Sequence, residues 1–560
     1  MIRRVLVIGG TGNFGARLVE NLVATTDFDV IIAARGIKRA ATLAAALRAR
    51  YPERQIDTYE RDTATITARE LQRLRVWCVA DAAGPFATAT SRLVEAAIAA
   101  RCHYVDIADA RDFVADIAHF DAAARAADVL VASGASTTPA LSHAVLDQLV
   151  VGWRRINRVD IAISPGNRQP RGLSVVKAIL ASAGRPIRVF RNGAWSTARG
   201  MSLLVHRHMP GLGRRWLFLV ETPDLDLIPK RFAPSSDATV RAGLELGILH
   251  LGVWALSKLV TIGILSSLVP LARPLRVIAE WFQPFGSGRG GMTVDVEGVD
   301  AAGQAVTATW ALIADKDGPN VPILPALALI RALAAGRMTR RGALPCVGLL
   351  SLADIQRELD RFAIVIRTNV SEHALLRRVL GPSFDVMPQP VQDAHEVADC
   401  LLLTGRASVE GAQSLAGQIA ARLFGFPAAI ADVPVSVEMR ADRDGEIWTR
   451  SFGDARFRSR LTPLRGQSDR ARERFGLVTF EMELTAGPQG LDYAITSGRL
   501  GFIPLPSFLV PRSFAKERVD TAGRFTFDVP IALPGIGLLV HYRGWLEPVS
   551  PNANAIDPQA

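Results

Sequence analysis

The sequence predicts an α/β protein that begins with a doubly wound parallel sheet and ends with an antiparallel, β-rich domain. Three observations support this fold class. Short apolar strands alternate with helices over residues 1–135. A glycine-rich turn joins the first strand to the first helix. From about residue 372 onward, strands separated by turn residues replace the alternation.

The first strand and the turn after it are the most informative stretch. Val5 to Ile8 are apolar, as is typical of a buried parallel strand. A complete G-x-G-x-x-G follows, and residues 16–24 then continue as a predicted helix. This context is that of a Rossmann-type dinucleotide-binding fold, in which the helix N-terminus binds the pyrophosphate. The predicted cofactor-binding residues of the turn are Gly9, Gly10, Thr11, Gly12, Asn13, Phe14 and Gly15.

Each glycine of the motif has a steric reason. We expect Gly10 to allow the tight turn, Gly12 to let the backbone approach the pyrophosphate, and Gly15 to let the helix pack closely on the strand. The alternative is a glycine-rich turn that binds nothing. The agreement of all three glycines with both flanking elements favours the nucleotide site.

The end of the second strand predicts which nucleotide binds. The apolar run Val30 to Ala34 ends at Arg35, where an NAD site usually has Asp or Glu. Lys38 and Arg39 follow closely. A ribose 2′-phosphate needs cationic partners and is repelled by a carboxylate. We therefore expect NADP(H), with Arg35 as the main 2′-phosphate ligand, although Lys38 and Arg39 also fit a solvated helix start.

Composition limits the class of protein. The chain has 560 residues, of which 49% are hydrophobic and 21% charged, and this describes a folded protein of two or three domains. The net charge of +11 is spread along the chain without a compact Lys/Arg block, so we expect no nucleic-acid partner. The four cysteines lack C-x-x-C spacing, which argues against a metal site and indicates a reducing compartment. No signal peptide precedes the first strand, so we expect a protein that is cytoplasmic and that can also contact a membrane.

Two later strand ends add candidate site residues. A small-residue loop, Gly84-Pro85-Phe86, follows the strand at 76–80, where ligands bind in open α/β sheets. Tyr104 and Asp106 end the next strand, and Asp109 lies just beyond it. These three are proton-handling candidates by position. The alternative places Tyr104 in the core and makes Asp106 a helix cap.

These motifs together resemble the saccharopine dehydrogenase (NADP-binding) family, of the saccharopine reductase and trans-acting enoyl reductase type. The resemblance rests on GGTGNFG, Arg35, AGPF, HYVD, the SGASTTPALSHAVLD segment at 133–147, PILPA at 322–326 and RGALPCVG at 341–348. It covers about residues 1–360. It implies an oxidoreductase with an α+β substrate domain inserted into the dinucleotide domain. Asp109-Ala110 replaces the Gly-Glu often found there, so no role of that glutamate is transferred.

We expect the substrate domain at 136–365, with a return to the first domain near 320–365. It contains an apolar segment, residues 246–272, interrupted by His250 and Lys258. Its length would span a bilayer, but a central Lys258 is costly there. The sequence leaves three alternatives open: a transmembrane span, a buried helix pair, or an apolar surface that meets lipid or lines the path of a lipid substrate.

The last domain is predicted at 372–549. Its landmarks resemble a domain of unknown function (family 4166) that accompanies such reductases: Trp448-Thr449-Arg450, Pro504-Leu505-Pro506, Gly523-Arg524-Phe525 and Tyr542-Arg543-Gly544-Trp545. A barrel or curved sheet here could enclose an apolar, lipid-binding cavity, or it could be a plain packed sandwich. The tail at 550–560 is predicted to be disordered.

The leading functional hypothesis is an NADPH-dependent reductase of a hydrophobic or lipid-like substrate. A highly polar amino-acid substrate would not explain the apolar segment at 246–272. The alternatives are a non-catalytic NADP(H)-binding lipid carrier or redox sensor, and a membrane-anchored scaffold. Peripheral membrane contact and a homo-oligomer, both through residues 246–272, are further expectations.

Overall fold

The computed structural model describes residues 3–549 except 170–171, 304, 372–373, 398–399, 424–428, 443–444 and 465–466. The predicted disordered tail at 550–560 lies outside the described residues. The chain divides into two compact units. The first comprises Met1–Val151, Ile156–Val296 and Ala308–Asn369, and the second comprises Gly152–Arg155, Glu297–Thr307 and Val370–Ala560.

The first unit begins with alternating strands and helices. Its first strands are β1 (Arg4–Ile8), β2 (Asp29–Ala34), β3 (Ile56–Glu60), β4 (Cys78–Asp81), β5 (His103–Asp106) and β6 (Leu130–Ser133). The helices between and after them are α1 (Asn13–Thr25), α2 (Ile37–Arg50), α3 (Ala68–Arg73), α4 (Arg92–Ala99), α5 (Arg111–Asp116), α6 (Asp121–Ala126) and α7 (Ser142–Leu149). Val5, Leu6 and Val7 are fully buried because helices cover both faces of the sheet.

The middle of the chain adds a mixed sheet with its own helices. Its strands are β7 (Arg155–Ser164), β8 (Pro186–Arg191), β9 (Ala194–Arg199), β10 (Val205–Met209), β11 (Gly213–Leu219), β12 (Asp237–Ala242), β13 (Gly290–Val299) and β14 (Ala305–Ala314). Its helices are α8 (Leu173–Ala181), α9 (Asp224–Phe232), α10 (Gly247–Thr261) and α11 (Ala272–Trp281).

The chain then returns to the first sheet through α12 (Leu324–Ala334), β15 (Gly342–Pro345) and α13 (Leu352–Leu359), and β16 (Ile364–Ser371) follows as a strand of the mixed sheet. The first sheet has the order β15-β6-β5-β4-β1-β2-β3, and every pair in it is parallel. The second sheet has the order β10-β11-β12-β7-β13-β14-β16, with β8 and β9 beside β12. This confirms the predicted doubly wound sheet with an α+β insertion.

The apolar segment at 246–272 contains α10 and ends at the first residue of α11. Gly263, with a left-handed backbone (φ +84°), follows the end of α10, and Ile262 and Ile264 beside it are 67% exposed. Leu268 and Ala272 are buried against Leu180 of α8. One side of the segment is therefore core, and the other is an apolar surface. Among the described residues, no helix combines the length and apolar composition needed to cross a bilayer.

The second unit is an antiparallel barrel with three helices. The helices are α14 (Leu375–Leu380), α15 (Gln389–Asp393) and α16 (Leu415–Leu423). The strands are β17 (Cys400–Gly411), β18 (Ile430–Asp442), β19 (Gly445–Phe452), β20 (Ala455–Pro463), β21 (Arg470–Phe475), β22 (Val478–Gly487), β23 (Gly490–Leu500), β24 (Ile503–Pro504), β25 (Arg512–Val519), β26 (Phe525–Leu533) and β27 (Gly537–Pro548).

The barrel closes because β22 pairs with β23 as well as with β21. The order around it is β22-β21-β20-β19-β18-β17-β27-β26-β25-β23. Closure leaves no free sheet edge among these strands. Of the two structures that the sequence allowed here, a barrel and a packed sandwich, the chain forms the barrel. The sequence also predicts a turn at Asp444-Gly445 and a helix that ends at Gly425, and Asp444 and Gly425 lie outside the described residues.

Candidate functional site

The glycine-rich turn is fixed by close packing between β1, α1 and the loop after β4. Gly9 has a left-handed backbone (φ +67°), and a Cβ there would lie 2.9 Å from the Ala83 Cα. A Cβ on Gly15 would lie 2.1 Å from the Gly9 carbonyl oxygen. The left-handed residue of the turn is thus Gly9 and not Gly10, while Gly15 has the packing role that the motif predicts.

The turn leaves the N-terminus of α1 open. Gly12 is the N-cap of α1 and has no side chain with which to satisfy the first amides of the helix. Its own amide donates to the Gly9 carbonyl at 2.8 Å, which tightens the turn. Such an end attracts an anionic group through its amides and the helix dipole.

The predicted 2′-phosphate ligands form an exposed basic cluster after β2. The Gly10 amide donates to the Ala33 carbonyl at 3.1 Å, and Arg35 lies two residues further along the same strand direction. Arg35, Lys38 and Arg39 are all exposed. Within the described ranges, none of the three forms an ion pair or a side-chain hydrogen bond. Their cationic groups are therefore available to a ligand.

The loop after β4 lies against the glycine-rich turn, as the contact of Gly9 with Ala83 shows. Gly84 and Pro85 are exposed, whereas Phe86 is buried and packs on Phe113 with 5.5 Å between ring centroids. Of the three predicted loop residues, Gly84 and Pro85 are thus exposed, whereas Phe86 belongs to the wall of a cavity.

That cavity has a volume of about 780 Å³ and lies inside the first unit, between the parallel sheet and the mixed sheet. Asn13 and Phe14, at the start of α1, form part of its wall. The remaining wall is mainly apolar and comes from both sheets and from α8: Phe86, Phe113, Ile163, Val175, Ile179, Phe218, Val220, Leu244, Met292, Leu312 and Val321.

Four carboxyl side chains line this cavity, Asp109, Asp112, Asp116 and Glu221, and Asp109 and Glu221 follow strands of opposite sheets. Asp109 follows β5, and Glu221 follows β11. Asp109 is exposed at the cavity wall, and desolvation by the surrounding protein raises its pKa. Burial also raises the pKa of Glu221; Arg111 opposes the rise, and Asp112 and Asp226 add to it.

Arg111 holds the polar side of the cavity in place. Its guanidinium donates to both carboxylate oxygens of Asp226, at 2.5 and 2.6 Å, and to the Arg188 carbonyl at 2.9 Å. Its nearest contact with Glu221 is 3.9 Å. Arg111 is therefore committed to Asp226 and only weakly attracts Glu221, so the Glu221 carboxyl stays open to the cavity.

Tyr104 and Asp106 lie away from the cavity wall. The Tyr104 hydroxyl donates to Asp81 at 3.2 Å and is fully buried. Asp106 accepts from the amides of Ala108 (2.9 Å) and Gly134 (2.7 Å). Burial raises the pKa of Asp106 to about 7. These contacts hold the loops after β4, β5 and β6, so Asp106 does not cap α5 as one alternative had it.

Glu221 and Arg111 are the site residues that the sequence analysis missed. Glu221 follows an apolar run, residues 216–220, in the same way that Asp109 follows β5. Applying the strand-end rule to the mixed sheet would have found it. No such signal marks Arg111. Within the described ranges, no group of three or more His, Cys, Asp or Glu side chains could hold a metal ion.

Comparisons with known proteins agree with these domains. Residues 5–148 match the family model described as the saccharopine dehydrogenase NADP binding domain. Residues 387–546 match the family model of a domain of unknown function, DUF4166. None of the curated proteins compared with the chain matches it.

Solved structures similar to this chain include two with named activities. Apo saccharopine dehydrogenase (L-Glu forming) from Saccharomyces cerevisiae has 13% identity and a TM-score of 0.47, and the match covers 66% of this chain and 100% of that one. FolM alternative dihydrofolate reductase 1 from Brucella suis, in complex with NADP, has 15% identity and a TM-score of 0.19, over 23% of this chain and 73% of that one.

The family matches confirm the predicted resemblance and the predicted cofactor. The first match covers the glycine-rich turn, the basic cluster after β2 and the strands up to β6. The second match covers most of the barrel. Residues 5–148 thus match a saccharopine dehydrogenase NADP-binding domain, the cofactor is NADP(H), and residues 387–546 match the domain of unknown function.

Proposed function

We propose that the protein is an NADPH-dependent oxidoreductase that reduces a hydrophobic substrate. The observation that carries the proposal is the cavity of about 780 Å³, which is walled mainly by apolar side chains and bordered by Asn13 and Phe14 of the dinucleotide turn. Its volume lies within the range of about 300–1,000 Å³ that small-molecule sites occupy. Bound NADPH supplies the hydride.

The residues proposed to hold the cofactor fit its charges. The turn from Gly9 to Gly15 offers open backbone and a helix N-terminus to the pyrophosphate. Arg35, Lys38 and Arg39 offer three cations to the 2′-phosphate, at the end of β2. Gly84, Pro85 and Phe86 complete the site on the far side of the turn, beside Gly9.

Asp109 is the proposed proton donor. Its carboxyl faces the same cavity as Asn13 and Phe14, and its raised pKa keeps the protonated form present to higher pH than in an ordinary aspartate. Glu221 lines the same cavity from the side of the mixed sheet and provides the natural comparison. Because both groups are uncharged when protonated, they are compatible with the apolar walls around them.

The surface formed by α10 and α11 supports a hydrophobic substrate that comes from a lipid surface. Trp281 and Phe285 are 72% and 75% exposed, beside exposed isoleucines. The segment from 246 to 290 has four Lys or Arg residues and one carboxylate, Glu280, which suits an anionic surface. This surface packs on α8, and α8 lines the cavity. Membrane contact and a homo-oligomer through this surface both stay predictions.

The test is NADPH oxidation by the purified protein with a series of carbonyl or enoyl substrates of increasing acyl-chain length. We expect turnover that strengthens with chain length, because each buried methylene adds about 0.8 kcal/mol of favourable transfer free energy. Binding of NADPH without turnover of any member of the series would contradict the reductase and favour a non-catalytic carrier. Preference for short, charged substrates would contradict the hydrophobic substrate alone.

A further inference from the structure

We infer that the barrel of the second unit binds an anionic amphiphile, whose apolar tail enters the lumen and whose head group lies on arginines at one end. The inference concerns the second unit alone and goes beyond the proposed reductase function. It rests on the lumen, on the closure of one end of the barrel, and on the side chains that surround the other end.

The lumen contains a cavity of about 160 Å³. At about 30 Å³ for a water-sized group, this holds on the order of five methylenes. Its walls are aromatic and sulfur-containing side chains, which adapt well to a flexible tail: Met439, Phe452, Phe480, Met482, Phe525 and Phe527. The cavity is therefore suited to an apolar tail and too small for a bulky polar molecule.

The polar groups that line the lumen are engaged with each other. His395 contacts Glu517 at 2.6 Å, and the Tyr493 hydroxyl donates to Glu517 at 3.3 Å. Arg450 donates to Glu473 at 3.0 Å. Because these groups are already paired, a ligand gains most from the apolar walls, and this again favours a tail.

One end of the barrel is closed by helices, and we call it the helical end. Here the Asp469 amide donates to the Val379 carbonyl of α14 at 3.1 Å. His395, just after α15, reaches Glu517 of β25 near the same end. Leu376, Phe384 and Val391 from this helical region are fully buried in the barrel core. The proposed entrance for a tail is therefore the opposite end, where α16 lies beside the start of β27.

The opposite end, which we call the open end, carries exposed apolar side chains. Phe502 is 90% exposed, and Phe508 and Phe514 are 62% and 66% exposed. The turns there lie side by side, because the Gly501 amide donates to the Leu477 carbonyl at 2.8 Å and Leu500 pairs with Ile503. Exposed apolar groups in one contiguous area indicate a contact site for an apolar partner.

Exposed arginines lie at the open end, where the carboxylates Glu410 and Asp432 are paired with Arg543 and Arg406. Arg456, Arg474, Arg499 and Arg512 are exposed and lie at the strand ends on this side. In the segments that carry them, 452–456, 474–478 and 499–512, the one carboxylate is Asp454. An anionic head group is therefore attracted to the rim while its tail enters the lumen. A carboxylate and a phosphate head group share this chemistry.

The test is calorimetric titration of the full chain, saturated with NADPH, with dodecanoate as the probe; about five of its methylenes would fill the lumen, and the rest of its tail would lie against the exposed phenylalanines of the open end. We expect dodecanoate to bind, dodecan-1-ol to bind more weakly, and butanoate to show no binding. Ala515→Phe, which fills the lumen, should abolish dodecanoate binding. Reversal of two rim charges in Arg499→Glu/Arg512→Glu should weaken it roughly tenfold or more.

The matched control is Arg470→Glu, the same charge reversal at the helical end, which should leave binding unchanged. NADPH affinity, measured on every variant, shows whether the first unit is intact, and far-UV circular dichroism of every variant reports the fold of the β-rich barrel. Dodecanoate bound in the cavity of the first unit would be insensitive to all the barrel substitutions, and this result would overturn the inference. So would an effect of Arg470→Glu equal to that of the rim double variant.

Sedimentation with phosphatidylcholine/phosphatidylserine vesicles separates the two sources of the ligand. Binding of dodecanoate without sedimentation assigns a free amphiphile to the lumen. If the protein binds dodecanoate and also sediments with the vesicles, and if Ala515→Phe abolishes both, the ligand is a lipid drawn from the membrane. Sedimentation that survives Ala515→Phe, with no dodecanoate binding, would overturn the lumen site and leave only a membrane contact at the open end.

Discussion

The two cavities of this protein differ in what their polar groups do. In the first unit, Asp109 and Glu221 face a cavity of about 780 Å³, and neither carboxyl is neutralised by a close ion pair. In the barrel, polar groups around a cavity of about 160 Å³ pair with each other, as His395 does with Glu517 at 2.6 Å. The difference suggests that the first cavity is suited to chemistry and the second to holding a ligand.

Among the substitutions that test this comparison, we expect the largest effect from one in the glycine-rich turn. Gly15→Ala places a Cβ 2.1 Å from the Gly9 carbonyl, so α1 must move away from β1. We expect loss of measurable NADPH binding and a destabilisation of roughly 4 kcal/mol or more. Dodecanoate binding to the barrel should persist in any folded fraction, which separates the two units. Chemical denaturation and NADPH titration measure both.

Gly252→Ala is the matched control. A Cβ at Gly252 meets nothing within 4 Å, and the residue lies inside α10. We expect a small stabilisation, about 0.5–1 kcal/mol, because alanine favours the helix more than glycine does. Equal loss of NADPH binding in both glycine variants would contradict the steric role of Gly15.

The carboxyls of the first cavity come next. Asp109→Asn removes the proposed proton donor, and we expect kcat to fall roughly 10²- to 10⁴-fold. In the wild type, activity should be retained at low pH and fall as pH rises through the raised pKa of Asp109, because the protonated form is the active one. The variant should lack this descending limb. The pH dependence of kcat measures both effects.

Glu221→Gln provides the comparison within the same cavity. If Asp109 is the donor, this variant keeps the descending limb and loses much less of kcat. If Glu221→Gln instead shows the larger loss and removes the limb, the role of proton donor belongs to Glu221, and the assignment of Asp109 is wrong. NADPH affinity should stay unchanged in both variants.

The paired groups of the barrel predict a different pH dependence, one of stability. Burial alone would lower the pKa of His395, but Glu517 and Glu446 raise it, and the net direction is upward. The pair therefore stabilises the barrel fully below the unfolded pKa of about 6.5, and this stabilisation is lost as pH rises through the folded pKa. His395→Gln should remove this dependence and cost roughly 3–5 kcal/mol. Urea denaturation between pH 5 and 9 measures it; an unchanged slope would contradict the pairing.

Much of the dinucleotide half could be predicted because its signals are local. The turn at 9–15 and Arg35 at the end of β2 lie within one βαβ unit, so their spacing alone fixes their neighbourhood. Tyr104 and Asp106 show the limit of this reasoning. Position at a strand end does not reveal that a side chain points into the sheet interior and holds loops there, as the contacts with Asp81 and Gly134 do.

The cavity and the barrel could not be predicted in the same way, since they depend on contacts between distant residues. Asp109 and Glu221 lie on different sheets and meet only because the inserted domain folds against the first one. The barrel depends on the pairing of β22 with β23, because without it the facing edges of these two strands would stay unpaired. In the apolar segment, Gly263 was the missed signal: its left-handed backbone follows the end of α10 and turns the chain toward α11.

A smaller effect than those of the site and barrel variants concerns cofactor choice, at the end of β2 in the first unit. Arg35→Asp replaces an exposed cation by a carboxylate, and the loss of one charge-assisted phosphate contact costs about 1.5–3 kcal/mol. We expect NADPH affinity to fall roughly 10- to 150-fold and NADH affinity to stay the same or rise. Lys38→Asp should lose less, because that residue lies one helical step further from the turn. Fluorescence titration with both nucleotides measures the ratio. Equal weakening of NADPH and NADH by Arg35→Asp would show that Arg35 supports the fold of the turn and does not read the 2′-phosphate.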